Sequence, residues 1–190
     1  MRRSNFPVGL ILALIAGPVL AHPGHGSDGF GAGLLHPLLG WDHLLAMLAV
    51  GLYAARTSAA PWRMPATFVA AMLAGTGLGA MGIDWPGVET GVASSVLVLG
   101  LMIAATMRLP GALPLVAFFA LCHGVAHGVE MPADAARMAG SYVLGLVLVT
   151  ALLHAVGYVV GRQLAGQGGR TLERGVGGVL AIAGVVMLST

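Results

Sequence analysis

Two short segments of this chain combine histidine with carboxylate residues inside otherwise apolar sequence. The first runs from His36 to His43, and the second runs from His123 to Glu130. Imidazole and carboxylate groups are common ligands of divalent transition metals, and ionisable groups within a membrane are costly enough to indicate a function. The two segments therefore predict a membrane protein that handles a metal cation. The candidate ligands are His36, Asp42, His43, His123, His127 and Glu130.

The spacing of the second segment favours a helix with its ligands on one side. His123, His127 and Glu130 follow one another at i, i+4 and i+7, which places them on a common helical face. In the first segment, Pro37 removes a helical hydrogen bond and Gly40 permits unusual backbone angles. We therefore expect a bent or broken helix around the first group of ligands.

If these two helices are adjacent and antiparallel, their ligands fall at two depths. Counting about 1.5 Å of rise per residue, His123 lies about 10 Å from the outer surface, and Asp42 and His43 lie about 10 to 15 Å deeper than His36. The outer tier is then His36, His127 and Glu130, and the inner tier is Asp42, His43 and His123. An ion could pass from one tier to the next. Two alternatives stay open: each histidine is a core imidazole that donates to a carbonyl, or each carboxylate orients a liganding imidazole without touching metal.

Three further histidines are candidates for accessory steps. His154, in a later apolar segment, is a candidate exit step, and the alternative is a structural histidine bonded to a neighbouring helix. His22 and His25 would stand at the start of the mature chain if a signal peptide were removed after Ala21. They could capture metal outside the membrane, and the alternative there is a polar tail.

The composition indicates an all-α, polytopic membrane helix bundle. The chain has 190 residues, of which 57% are hydrophobic and only 8% are charged, too few charges for a water-soluble surface. All nine basic residues are arginine, so a Walker A lysine and Schiff-base chemistry are excluded. The arginines lie in short connections, which reports membrane topology and gives no indication of nucleic-acid binding. A single cysteine, Cys122, excludes an internal disulfide and a thiolate-rich zinc site.

The apolar segments divide the chain into a signal peptide and one transmembrane domain. Residues 1–21 have two arginines, a short apolar run and a small residue at the cleavage point, as in secretory signal peptides. The alternative is an uncleaved first transmembrane helix. Residues 22–190 form the domain, with six transmembrane helices predicted between proline, glycine and arginine breaks. These spans lie near 32–55, 64–83, 88–107, 111–130, 139–161 and 172–189.

The distribution of arginine predicts the orientation of the six spans. If the mature N-terminus is external, six arginines fall in cytoplasmic connections, and only Arg137 falls outside, together with Asp84, Glu89 and Asp134. Cytoplasmic connections carry the excess of arginine and lysine in membrane proteins. We therefore expect both mature termini to be periplasmic in a bacterial inner membrane.

The two motifs, His36 through Met47 and Phe118 through Glu130, resemble the signatures of the HupE/UreJ family. The resemblance covers nearly the whole chain, including the signal peptide. It implies a small bacterial inner-membrane permease for nickel, and sometimes cobalt, associated with hydrogenase or urease maturation. It also implies that the functional residues are the same six candidate ligands. The metal would be a transported ion and not a fixed cofactor.

Two other classes of protein remain open. An intramembrane metal-dependent hydrolase would hold a zinc-bound water with His123 and His127 and use a carboxylate as base. However, Gly124 follows His123, so the glutamate of the H-E-x-x-H motif is absent. The second alternative is an accessory protein that binds metal without transporting it.

Overall fold

The structure is a computed structural model that describes residues 29–57, 60–165 and 169–190. The regular structure in these ranges is entirely helical, which confirms the all-α prediction. The helices are α1 (Gly29–Leu39), α2 (Trp41–Thr57), α3 (Arg63–Ala80), α4 (Val88–Ala104), α5 (Ala112–Val129), α6 (Ala133–Ala136), α7 (Ala139–Leu164) and α8 (Gly169–Ser189). The predicted signal peptide, together with His22 and His25, lies outside the described residues.

Three of the described helices, α5, α7 and α8, are long and apolar enough to cross a membrane. The helices α1 and α2 make a fourth candidate when they are taken together as one bent span. The helices α3 and α4 coincide with the second and third predicted spans, but they end earlier, at Ala80 and Ala104. The structure thus supports three or four membrane crossings by length and composition, while the full set of six stays a prediction.

The predicted break in the first apolar segment is present. The axes of α1 and α2 meet at 82°, and Gly40 is the residue between the two helices. Pro37 lies inside α1 and has no N–H to donate to the preceding turn. The helical pattern of backbone hydrogen bonds resumes after the break, where the Leu44 N–H donates to the Gly40 carbonyl at 2.9 Å.

Glycines allow the helices to pack at close range. A Cβ added to Gly75 or Gly79 in α3 would overlap carbonyl oxygens of α5, and one added to Gly124 or Gly128 in α5 would overlap carbonyl oxygens of α3. These four glycines therefore permit the close approach of α3 and α5, as small residues do between membrane helices. The same kind of contact joins α7 to α1 and α2, and α4 to α8. The glycines of these contacts are Gly33, Gly51, Gly100, Gly145, Gly157, Gly161, Gly177 and Gly184.

The outer surface of the bundle is strongly apolar. Along α7, Leu144, Leu148 and Leu152 succeed one another every four residues and are about half exposed. Helix α8 exposes a similar set of aliphatic side chains, with Val179 and Ile182 both more than 60% exposed. Exposed apolar faces of this extent indicate a surface that contacts lipid.

Candidate metal site

The break between α1 and α2 and the C-terminal end of α5 bring the candidate ligands together. His36 lies in the last turn of α1, and Asp42 and His43 lie in the first turn of α2. His123 and His127 come from α5, and Glu130 follows its last residue. A Cβ added to Gly40 would lie 3.0 Å from Asp42 Oδ1 and 3.1 Å from His43 Nδ1, so glycine leaves room for this pair.

The outer tier forms a connected group. Nε2 of His36 lies 3.1 Å from Oε2 of Glu130, and the rings of His36 and His127 are 4.9 Å apart between centroids. Tyr142 in α7 contacts this group through the backbone, because its hydroxyl donates to the His127 carbonyl at 3.3 Å. His127 is fully buried, whereas the Glu130 side chain is 49% exposed. The outer tier therefore connects the surface to the interior.

The inner tier is equally close, and the two tiers meet. Oδ1 of Asp42 lies 2.7 Å from both the backbone nitrogen and Nδ1 of His43. The ring of His43 is 4.7 Å from that of His123 and 4.3 Å from that of His127. The order His36, His127, His43, His123 is therefore an unbroken series of neighbouring imidazoles, which we call the histidine ladder.

Several nitrogen atoms of the ladder are buried and make no hydrogen bond within the described part of the chain. They are Nε2 of His43, Nδ1 of His123 and both ring nitrogens of His127. Buried polar atoms are normally paired, so these atoms indicate a site for a polar ligand. Imidazole nitrogen with a free lone pair is a ligand of first-row transition metals. Among residues 29–57, 60–165 and 169–190, however, no three His, Cys, Asp or Glu side chains are arranged to hold one ion.

Ser95 contacts the ladder and was missed by the sequence analysis. Its side chain in α4 is fully buried, and its hydroxyl oxygen lies 2.9 Å from Nε2 of His123. A serine in an apolar helix usually packs or bonds to its own backbone, and Ser94 precedes Ser95 in the same helix, so neither residue type nor position gave a signal. The contact depends on how α4 packs beside α5.

A cleft of about 450 Å³ opens beside the outer tier. Its lining includes three carboxylate residues, Asp84, Glu89 and Glu130. Sequence reasoning used Asp84 and Glu89 only as markers of an external connection. Three acidic groups around one opening attract cations by their summed field, and Glu130 belongs both to the cleft and to the outer tier.

His154 lies beyond the ladder, with Phe68 between them. The Phe68 ring is 5.6 Å from the His123 ring and 5.0 Å from the His154 ring. Both ring nitrogens of His154 are buried and have no hydrogen-bond partner in the described ranges. The expected alternative, a histidine bonded to a neighbouring helix, is therefore not observed there. Its role as an exit step stays a prediction.

A second buried polar pair lies elsewhere in the bundle. Glu173 in α8 is 1% exposed and forms an ion pair with Arg56 in α2. Sequence reasoning assigned no role to Glu173, because the partner of a carboxylate in another helix is decided by tertiary packing. This pair joins the far end of α2 to α8.

Comparison with known proteins decides the family. The family model described as HupE / UreJ protein matches residues 10–187. The chain belongs to the HupE/UreJ family. A second HupE/UreJ protein, "Protein HupE" of Rhizobium leguminosarum bv. viciae, is 40% identical over 182 residues, which cover 93% of this chain and 94% of the relative. No solved structure gives a significant match. The HupE/UreJ family is linked to nickel and cobalt handling for hydrogenase and urease, and the resemblance stated above is confirmed.

Proposed function

We propose that this protein is a secondary permease for the uptake of a divalent transition metal, Ni²⁺ or Co²⁺, across the bacterial inner membrane. The observation that carries the proposal is the histidine ladder, in which successive ring centroids are 4.9, 4.3 and 4.7 Å apart. Neutral imidazole suits nickel and cobalt, whereas magnesium prefers a site built from oxygen ligands. The metal is the transported substrate, and its delivery would serve metalloenzyme maturation.

The ion would reach the ladder through the acidic cleft. There the carboxylates of Glu89 and Glu130 raise the local concentration of cations. The ion then exchanges water for imidazole nitrogen as it passes from His36 and His127 to His43 and His123. The buried ring nitrogens that make no hydrogen bond within the described residues support this step, because each can donate its lone pair to the arriving ion. The lack of a ready three-ligand group in the described ranges is compatible with an ion that binds briefly and leaves.

The membrane potential is sufficient to drive accumulation. Moving one charge through 100 mV is worth about 2.3 kcal/mol, so a divalent ion gains about 4.6 kcal/mol. This corresponds to on the order of a thousandfold accumulation, since each 1.4 kcal/mol is a factor of ten. Uptake in this scheme needs neither ATP nor a second coupled ion. The proposed topology has six crossings with both mature termini in the periplasm.

The test is uptake of radioactive nickel into proteoliposomes that contain only this protein. A potassium gradient with valinomycin sets the interior negative, and cobalt and zinc are added as competitors. We expect nickel to accumulate only while the membrane potential is present. Added cobalt should lower this accumulation by competition. His127→Ala should abolish uptake, whereas Phe118→Ala, an exposed truncation on the same helix, should retain it.

Other outcomes would reject the proposal and identify its competitors. Nickel that binds to the protein without accumulating would favour an accessory protein. Hydrolysis of a lipid or peptide that requires metal would favour an intramembrane enzyme. Uptake at the wild-type rate in His127→Ala would exclude the ladder as the path of the ion.

A further inference from the structure

Ser95 is a buried hydroxyl that makes two short contacts. Its oxygen lies 2.6 Å from the Val92 carbonyl oxygen, within its own helix α4, and 2.9 Å from Nε2 of His123 in α5. Both side chains are fully buried. The two contacts compete for a single hydroxyl proton, because serine has one O–H donor and two acceptor lone pairs.

The proton must lie between Ser95 and Val92. Two oxygen atoms at 2.6 Å repel each other unless a hydrogen lies between them, and a carbonyl cannot supply it. The Ser95 hydroxyl therefore donates to Val92, and its oxygen accepts from the Nε2–H of His123. In a neutral imidazole one nitrogen donates and the other accepts, so Nδ1 of His123 carries the free lone pair. That atom is buried and has no hydrogen-bond partner among the described residues.

His43 is held in the opposite tautomer. Its Nδ1 lies 2.7 Å from the Asp42 carboxylate and donates to it, which leaves Nε2 with the lone pair. This Nε2 is also buried and unpartnered within the residues described. Two neighbouring rings of the ladder, 4.7 Å apart, therefore present different nitrogen atoms. The hydrogen bond made by the second nitrogen is what normally selects the metal-binding nitrogen of a histidine.

We propose that Ser95 is a positioning residue that holds His123 as the Nε2–H tautomer, so that Nδ1 is the atom that receives the transported metal. Ser95 itself does not touch the ion. The inference rests on the proposed function, since it assigns the liganding atom within the same ladder. The tautomer of His123 in the metal-free protein can also be tested without measuring transport.

The first experiment measures the tautomer directly. Protein labelled with ¹⁵N-histidine is studied by NMR without metal, and His123→Asn identifies the signals of His123. We expect a protonated Nε2 and an unprotonated Nδ1 in the wild type, and a mixture of tautomers in Ser95→Ala. A protonated Nδ1 in the wild type would overturn the proposal, even if Ser95→Ala failed to fold.

The second experiment measures nickel uptake by the same proteins in proteoliposomes. Loss of a hydrogen-bond partner behind a metal ligand typically lowers metal affinity 10- to 100-fold, so we expect KM in Ser95→Ala to rise by about that factor. Ser95→Thr keeps the hydroxyl and should restore most of the affinity. The matched control is Ser94→Ala, which makes the same change one residue earlier on α4 and should leave KM unchanged.

The two experiments separate the two proposals. A wild type that shows the expected tautomer but no uptake rejects the permease and, with it, the liganding role of Nδ1. Uptake in the wild type with equal KM in Ser95→Ala and Ser94→Ala retains the permease and rejects the positioning role. A raised KM in Ser95→Ala, with rescue by Ser95→Thr and the expected tautomer, supports both.

Discussion

Asp42 combines a charge with a hydrogen bond, and the two can be separated by mutation. Its Oδ1 accepts from the His43 backbone and from the His43 ring, each at 2.7 Å. In Asp42→Asn an oxygen can still accept both bonds, but the negative charge that strengthens the imidazole as a ligand is lost. We expect initial rates of nickel uptake at low nickel to fall about 10- to 100-fold, with normal membrane insertion.

Asp42→Ala, which loses both the charge and the acceptor, should be at least as impaired as Asp42→Asn. The measurement is radioactive nickel uptake at equal protein content, with size-exclusion profiles as the control for folding. Wild-type uptake in Asp42→Asn would show that uptake requires only the hydrogen bonds that Asp42 accepts from His43, and not its negative charge.

Residue types and spacing predicted the ladder but not the groups that surround it. The i, i+4, i+7 spacing placed His123, His127 and Glu130 on one face, and the structure brings these residues to His36 and His43. Ser95 could not be predicted, because nothing in the sequence distinguishes it from the adjacent Ser94. Its partner is determined by the rotation of α4 against α5. The acidic cleft was missed for a similar reason, since Glu89 lies in α4 and Glu130 follows the end of α5.

At the level of whole helices, the pair α3 and α5 depends on contacts that only glycine permits. A Cβ on Gly75 would overlap the Leu121 carbonyl of α5, whereas a Cβ on Gly77, two residues later, would meet nothing within 4 Å. We therefore expect Gly75→Ala to destabilise the protein by about 1–3 kcal/mol, as overpacking does. Gly77→Ala should be neutral, or stabilising by up to about 1 kcal/mol, because alanine favours the helix.

The check is the midpoint of thermal unfolding of both variants in the same detergent. A lower midpoint in Gly75→Ala alone would support close packing of α3 against α5. Equal midpoints would contradict it. Because α5 carries His123 and His127, we also expect Gly75→Ala to reduce nickel uptake.

The ion pair between Arg56 and Glu173 holds α2 against α8. The Glu173 side chain is 2% exposed and that of Arg56 is 21% exposed, so water screens the pair only weakly. Removal of one partner of a buried ion pair typically costs about 3–5 kcal/mol, because the remaining charge is left uncompensated. We expect a loss of this order in Glu173→Gln, measured as a lower unfolding midpoint.

The neighbouring residue supplies the control for that substitution. Arg174 is exposed, and its Nε donates to the Ala104 carbonyl at 3.1 Å. Arg174→Gln should therefore have a much smaller effect than Glu173→Gln. Similar midpoints for the two variants would indicate that the buried pair contributes little to the association of α2 with α8.

Sequence and structure agree on where the helices lie but differ in what each establishes about membrane crossing. Pro37 and Gly40 predicted a break, and in the structure the two helices on either side of it meet at 82°. This break was predictable because both residues act through local backbone geometry. The number of membrane crossings depends on how the helices pack, and not only on local sequence. The 17-residue α4 is short for a full span, so its depth in the bilayer depends on the tilt set by its neighbours.

The topology that the arginine distribution predicts for the whole molecule can be tested with single cysteines. Cys122 is the one cysteine of the chain and is 1% exposed, so Cys122→Ala provides a cysteine-free background. On it, Ile83→Cys, Met107→Cys and Thr190→Cys place reporters in three exposed positions. Six crossings with both mature termini in the periplasm put positions 83 and 190 outside and position 107 inside.

We therefore expect a membrane-impermeant maleimide added to spheroplasts to label Ile83→Cys and Thr190→Cys. Met107→Cys should be labelled only after the membrane is permeabilised. Position 107 is decisive because it lies next to Arg108, between α4 and α5, where the positive-inside rule places the connection in the cytoplasm. Labelling of Met107→Cys in intact spheroplasts, without labelling of Ile83→Cys, would mean that the orientation of the spans is inverted. The cleft and the ladder would then face a different compartment from the one that uptake requires.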